Sequence, residues 1–237
     1  MSRAEQLRLL HRSPPLLVLP NAWDVASARA LASLPGCRAL ATSSAAVARS
    51  LGWEDGENAP AEEMLRVVER IAASVEVPVT ADLEAGYGDP PRTAAAAVAA
   101  GAAGMNLEDS HGESDMVPLD EQVEIIRAVR AAAPELVINA RIDVFVAGAG
   151  GVGEAIERGN AYLAAGADCV YPILAPHEAI GDLAARIRGP INILVPPVYP
   201  PLAELERLGV VRVTFGSGLA AAALTEATRL AARALER

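Results

Sequence analysis

Short apolar runs alternate with stretches of helical periodicity along the whole chain. Runs rich in Val, Ile, Leu and Ala, most of them bounded by Gly or Pro, predict strands at 16–20, 38–42, 77–82, 104–108, 136–142, 168–173, 191–195 and 211–215. Between and after them, apolar residues spaced for one helical face predict helices at 24–34, 61–74, 92–100, 119–133, 153–165, 176–188, 201–208 and 218–237. Asp24 suits an N-cap, Pro118 and Pro176 suit a first turn, and Gly101, Gly166 and Gly209 suit helix C-termini. The helix-to-strand turns at 100–104, 165–168 and 208–211 echo one another, too faintly for a duplicated half. Eight strands alternating with eight helices predict an α/β fold, a (β/α)8 TIM barrel, and 237 residues is near the usual size for one. No linker-like block divides the chain, so residues 1–237 are read as one domain. A doubly wound open sheet is the alternative. A dinucleotide-binding version would want G-x-G-x-x-G after its first strand, where Pro20-Asn21-Ala22-Trp23-Asp24 stands instead.

Composition narrows the partners. Hydrophobic residues make up 52% and aromatic residues 3%, so a full core is available and is built mainly of Ala, Val, Leu and Ile. A net charge of −10 argues against nucleic acid or an anionic membrane, but leaves room for a small anionic substrate at one local positive site. No apolar run reaches the roughly 20 residues of a membrane span. The stretch from Met1 to Gln6 carries Glu5 and lacks the apolar core of a signal peptide. Cys37 and Cys169 are too few for a disulfide framework, so a reduced cytoplasm is the expected compartment. The run from Gly148 to Gly153 lacks the Lys-Ser/Thr of a phosphate loop and reads as a flexible lead into a helix.

The acids are not scattered. Asp82 and Glu84 stand at the exit of the third strand, and a period of two puts them on one face. Paired carboxylates at the end of an apolar strand are costly unless something positive sits between them, and the least costly candidate is Mg2+ or Mn2+. Glu108 and Asp109 repeat the pattern after the fourth strand. On the fifth, Asn139, Arg141 and Asp143 share a face. Thr42-Ser43-Ser44-Ala45 and Gly52-Trp53-Glu54-Asp55-Gly56 follow the second. In a TIM barrel these strand exits surround the active site. Acids plus one Arg at that mouth fit a metal with an anionic substrate, the planar guanidinium gripping a carboxylate or phosphoryl group. The blander uses are an Arg141 ion pair with Asp143 or Glu108, structural roles for Asp109 and Asp143, a solvated His111, a core Cys169, and packing roles for Trp53 and Tyr87. His11 and His177 receive no role.

These motifs, with Asp82-Leu83-Glu84-Ala85-Gly86-Tyr87-Gly88 and Asn106-Leu107-Glu108-Asp109 at their centre, resemble the isocitrate lyase / phosphoenolpyruvate mutase superfamily over nearly the whole chain. The resemblance implies a (β/α)8 barrel, a homodimer or homotetramer that often exchanges its last helix, a Mg2+ cofactor, and chemistry on 2-oxo or 2-hydroxy acids through an enolate. It implies that Asp82 is the direct metal ligand and that Asp55, Glu84 and Glu108 hold the metal's waters. Glu84 stands where many members have Asp. The backbone at Ser43, Ser44 and Ala45 would cradle the substrate carboxylate and enolate oxygen, with Ser44 in place of a frequent Gly. Arg141 would bind the anion, and Asp55, Glu108 and Arg141 form the catalytic set.

Physical chemistry agrees with that reading. A 2-oxo acid chelates Mg2+ through its carboxylate and keto oxygens, and the cation stabilises the oxygen that becomes negative as the neighbouring bond breaks. The loop after the fourth strand, Ser110-His111-Gly112-Glu113-Ser114-Asp115-Met116-Val117-Pro118, departs from the resemblance. It lacks the Lys-Arg-Cys-Gly-His of isocitrate and methylisocitrate lyases and the longer Lys- and Asn-bearing gating loop of the mutase. The expected function is a C–C lyase or decarboxylase. The alternatives are P–C bond chemistry, as mutase or phosphonopyruvate hydrolase, and a catalytically silent binding protein.

Overall fold

A computed structural model describes residues 1–12, 14–112, 114–196 and 202–236. Three sequence expectations touch positions outside these: the first residue of the helix expected at 201–208, Glu113 in the loop at 110–118, and residue 237 of the last helix.

The first barrel strand, β1, is Leu17–Leu19, continuing past Pro20 as Asn21–Ala22. The others are β2 Leu40–Thr42, β3 Val79–Asp82, β4 Gly104–Leu107, β5 Val137–Ile142, β6 Cys169–Pro172, β7 Asn192–Leu194 and β8 Arg212–Thr214. All neighbouring pairs run parallel. β1 changes partner at Pro20: Leu17 registers with Arg212 of β8, whereas Asn21 registers with Ala41 of β2. Proline has no N–H to give to a ladder, so a break in pairing there costs little. Its carbonyl still accepts the Ala41 N–H at 3.0 Å. The bridge between Val170 and Ile191 joins β6 to β7. The ring is thereby closed, and all eight expected strands are present, the first running on to Ala22 and the others trimmed by one or two residues.

Helices pack outside the ring on a core of small and branched side chains, among them Leu83, Met105, Leu107, Ile126, Ile138 and Val170. Inside the ring lies a polar layer. Arg212 of β8 is completely buried, and its Nη2 donates to Asn106 Oδ1 of β4 at 3.5 Å, across the barrel.

The helices fall at Val25–Ala32, Ala61–Ser74, Pro90–Ala99, Leu119–Ala132, Val152–Ala165, Ile180–Arg186 (after a 3-10 turn), Leu202–Arg207 and Gly218–Leu235. Asp24 is the expected N-cap, accepting the Ser27 N–H at 2.6 Å. Pro118 and Pro176 sit one position earlier than expected, as N-caps rather than in the first turn. Three helices lie where none was expected: Arg3–Leu10, Ser44–Leu51 and Val144–Ala147. The loop at 110–118 contains a small antiparallel ribbon, Ser110–His111 against Asp115–Met116. The last helix is exposed along its length, with Ala220 its buried residue and Leu224, Leu230 and Leu235 open to solvent. Among the described residues no helix is long and apolar enough to cross a membrane.

Candidate active site

At the C-terminal ends of the strands opens a cavity of about 630 Å³. Asp82 closes β3 and is held on both oxygens. Its Oδ2 accepts the Ser44 N–H at 3.0 Å and the Ser44 hydroxyl at 3.1 Å, and its Oδ1 accepts from Asn106 Nδ2 at 2.9 Å. Its own N–H is given to Thr42 Oγ1 at 2.8 Å. The Ser44 N–H is free to do this because it opens the helix Ser44–Leu51, where backbone donors lack intrahelical partners. Ser43 caps that helix, accepting the Ala46 N–H. The expected cradle at Ser43, Ser44 and Ala45 is thus a helix N-terminus, and all three residues line the cavity.

Glu84 reaches the cavity by a different route from the one expected. The strand stops at Asp82, and Glu84 lies in a turn with φ 51°, so the two do not share a strand face. A left-handed turn aims the carboxylate instead. Glu84 is buried and accepts the Glu57 N–H at 2.6 Å and the Tyr87 hydroxyl at 2.7 Å. Glu57, itself at φ 59°, accepts the Tyr87 N–H in return. These bonds staple the Gly52–Asn58 stretch, which carries Asp55, to the turn after β3. Gly86, at φ 97°, makes the turn possible: a Cβ there would lie 2.7 Å from Pro90 Cα.

Glu108 follows β4 and is paired with Arg141 Nη1. Arg141 also donates from Nε to Asp143 Oδ1 at 2.6 Å. Asp143 stands just past β5, is completely buried, and accepts the Ser110 hydroxyl at 2.6 Å. Asp109 lies behind this layer, taking the Asp143 N–H, the Tyr162 hydroxyl and Arg158. Asp109 and Asp143 therefore brace the site from outside the cavity, while Asp55, Asp82, Glu84, Glu108 and Arg141 line it. His111 lines it from the ribbon.

The electrostatics are unfavourable as they stand. Burial first, then the neighbouring Asp82 carboxylate, pushes Asp55 above the usual carboxylate range. Burial also raises Glu84, with Asp55 and Asp82 adding to it and the Tyr87 hydroxyl opposing. Glu108 is raised well up by burial, even with Arg141 beside it. For Arg141, burial disfavours the charge, but Glu108 and Asp143 outweigh it and hold the guanidinium firmly protonated. Buried carboxylates that repel one another are eased by a nearby positive charge. Among the described residues no three acids, histidines or cysteines converge tightly enough to cage a metal by themselves. The set fits a hard cation that keeps much of its water. Every one of the 20 basic residues is arginine, so no lysine can form an imine with a carbonyl substrate.

Several residues at the site carried no role in the sequence reading. Asn106 lies two before Glu108, so strand alternation would place it on the same face as that acid. Ser110 opens the ribbon and Tyr171 closes the cavity from β6. Glu57 has no sequence signal, since its contribution depends on its left-handed backbone.

A family model described as phosphoenolpyruvate phosphomutase matches residues 7–235. An uncharacterized protein of Mycobacterium tuberculosis (strain ATCC 25618 / H37Rv) is 35% identical over 211 residues, covering 88% of this chain and 80% of the other. The 2-methylisocitrate lyase of Bacillus subtilis (strain 168) is 30% identical over 200 residues, covering 79% of this chain but 65% of that enzyme. Among solved structures, phosphonopyruvate hydrolase in complex with oxalate and Mg2+ superposes with a TM-score of 0.88 at 26% identity, covering 98% of this chain and 87% of the other.

Proposed function

We propose that this chain, which belongs to the phosphoenolpyruvate phosphomutase family, is a Mg2+-dependent lyase that breaks a C–C bond beside the carbonyl of a small 2-oxo or 2-hydroxy acid through an enolate. The observation that carries this reading is the convergence of Asp55, Asp82, Glu84 and Glu108 on one cavity whose lining, among the described residues, holds a single guanidinium. Asp82 would hold the ion directly, and Asp55, Glu84 and Glu108 would hold it through water. When bound, the ion supplies a positive charge against the oxygen on which negative charge develops.

The chain's own residues do the rest. Ser44 and Asn106 fix both oxygens of Asp82, so the ligand needs no reorganisation. The start of the helix Ser44–Leu51 favours a substrate carboxylate, since the partial positive charge of a helix N-terminus lies there. Arg141, held in one orientation by Glu108 through Nη1 and by Asp143 through Nε, would meet substrate oxygen with Nη2. Without lysine, enolate stabilisation falls to these donors and the cation.

P–C chemistry is the rival reading, and the likeness to phosphonopyruvate hydrolase favours it. Incubation with Mg2+ and oxaloacetate, a 2-methylmalate-type acid or phosphonopyruvate, following pyruvate and phosphate, separates the two. Pyruvate without phosphate supports the lyase, and phosphate from phosphonopyruvate supports the rival. Calorimetric titration tests the metal itself. If neither Mg2+ nor Mn2+ binds, or if Asp82→Ala binds as well as the parent, the metal assignment is wrong.

A further inference from the structure

The mouth of the barrel is divided between two chemistries. The arc from β2 to β5 contributes Asp55, Asp82, Glu84, Glu108 and Arg141. The arc from β5 to β8 contributes Val146, Ile173, Leu174 and Leu194 to the same cavity. Among the described residues the cavity lining holds one permanent positive charge, Arg141, and two carboxylates, Glu108 and Asp143, already engage it. His111 is the one imidazole among the described lining residues, and it stands on the acid-rich side, on the ribbon after β4. A divalent cation among the acids answers one substrate carboxylate. A second carboxylate or a phosphonate on the far side would face these four aliphatic side chains and the uncharged Tyr171, Thr214, Gly216 and Ser217, with no cationic side chain among the described lining residues there, and placing an unpaired anion against apolar groups is costly.

Leu174 sharpens the point. It sits at φ 56°, in the left-handed region that bulky side chains rarely adopt, and it is 58% exposed at the rim. A strained leucine open to solvent at a functional mouth is an outlier that a ligand would explain, because an apolar substrate group would cover it. Tyr171 and Thr214 line the same cavity with hydroxyls, which suit an uncharged oxygen.

We propose that the substrate carries a single carboxylate: a 4-hydroxy-2-oxo acid whose C4 bears an alkyl group seated on Val146, Ile173, Leu174 and Leu194, cleaved to pyruvate and an aldehyde. This rests on the enolate reading given above. The C3–C4 bond breaks and its electron pair passes to C3 as the pyruvate enolate. The O–H pair at C4 becomes the aldehyde C=O, and the proton released from that oxygen is balanced by the one taken up at C3. No oxidant or reductant is needed.

The test compares 4-hydroxy-2-oxohexanoate with 4-hydroxy-2-oxoglutarate, which places a carboxylate where the alkyl group would sit, and with oxaloacetate and phosphonopyruvate, all with Mg2+. The expected result is a kcat/KM at least about 100-fold higher for the alkyl acid, the scale on which a buried pocket rejects an unpaired charge. Leu174→Arg, which keeps a side chain at the exposed rim, should narrow that preference about tenfold or more by supplying the missing cation. Exchange of the pyruvate methyl protons in D2O, followed by NMR, tests the enolate chemistry separately. Absence of exchange overturns the preceding reading. Exchange accompanied by equal or better turnover of the dicarboxylates or phosphonopyruvate, or by no cleavage of alkyl acids, overturns this one.

Discussion

Replacing Gly86 by Ala tests how the acid-bearing turn is held. The new Cβ would lie 2.7 Å from Pro90 Cα, 2.7 Å from Pro90 Cβ and 2.8 Å from Pro90 Cγ. Carbon atoms at rest stand about 3.5–4.0 Å apart, so the overlap is roughly 1 Å. One contacted atom is backbone at the start of the helix Pro90–Ala99, so the clash cannot be relieved by rotating a side chain. The backbone at φ 97° adds its own penalty, about 1–2 kcal/mol for a residue with a Cβ. Overpacking contributes a further 1–3 kcal/mol or so. Gly88→Ala is the matched control: it has φ 77° in the same turn, but open space where its Cβ would go. It should lose only the backbone part. Urea unfolding at one pH measures both, and Gly86→Ala should be the less stable by about 1–3 kcal/mol, or a melting temperature lower by several degrees. Because the turn carries Glu84 and its partner Tyr87, Mg2+ affinity should also fall in Gly86→Ala and change little in Gly88→Ala. Equal stabilities for the two variants would refute the steric argument. Unaltered metal affinity in a destabilised Gly86→Ala would refute the claim that the turn positions Glu84.

Three further outcomes follow from other contacts. Asp168 accepts from Arg8, Arg130 and the Ile138 N–H; burial pushes its carboxyl up, but these donors outweigh it and hold it below the usual range. Its stabilisation is therefore complete above the ordinary carboxylate pKa and is lost as pH falls through the lowered one. Arg8→Ala should cost about 1–3 kcal/mol near neutrality, with the gap to the parent closing in acid, as thermal melts across pH would record. Arg141→Lys keeps a charge but cannot hold Glu108 and Asp143 with one planar fork, so kcat/KM on the best substrate should drop about 100-fold or more while circular dichroism stays unchanged. Tyr87→Phe removes a donor from a Glu84 carboxyl already raised by burial. Its ionisation should become harder still, so Mg2+ should bind roughly 10-fold more weakly, with a larger deficit at pH 6 than at pH 8 in calorimetry.

The strands were legible because most are short apolar runs rich in branched residues and bounded by Gly or Pro, a signal that survives in a single sequence. The helix Ser44–Leu51 was not, because its apolar side is built of Ala and Val and its start reads as a serine loop. The helix Arg3–Leu10 does carry a sequence signal: Ser2 and Glu5 have the spacing of a reciprocal cap, and both halves of it form. At the site, residue types and order placed Asp55, Asp82, Glu84, Glu108 and Arg141 at one mouth. The route was wrong for Glu84, since alternation assumes a strand and the backbone had already turned left-handed. Partnerships such as Glu57 with Tyr87 join segments thirty residues apart through backbone donors, and side-chain identity does not encode which N–H will be free.

The change of partner at Pro20 has a consequence for how the barrel breathes. Ladder pairing divides the ring into a six-stranded arc from the second half of β1 to β6, and a three-stranded arc of β7, β8 and the first half of β1. The arcs meet at one end through the isolated bridge between Val170 and Ile191 and at the other through a proline. Amide hydrogen exchange should register two cooperative units, with the three-stranded arc opening at lower free energy than the other. Asp82, Glu84, Glu108 and Arg141 all ride on the slow-exchanging arc, whereas Leu194 and Thr214 ride on the fast one. The charged floor thus keeps its shape while one wall of the chamber yields, so adaptation to a new guest can proceed by reshaping that wall with the floor left as it is.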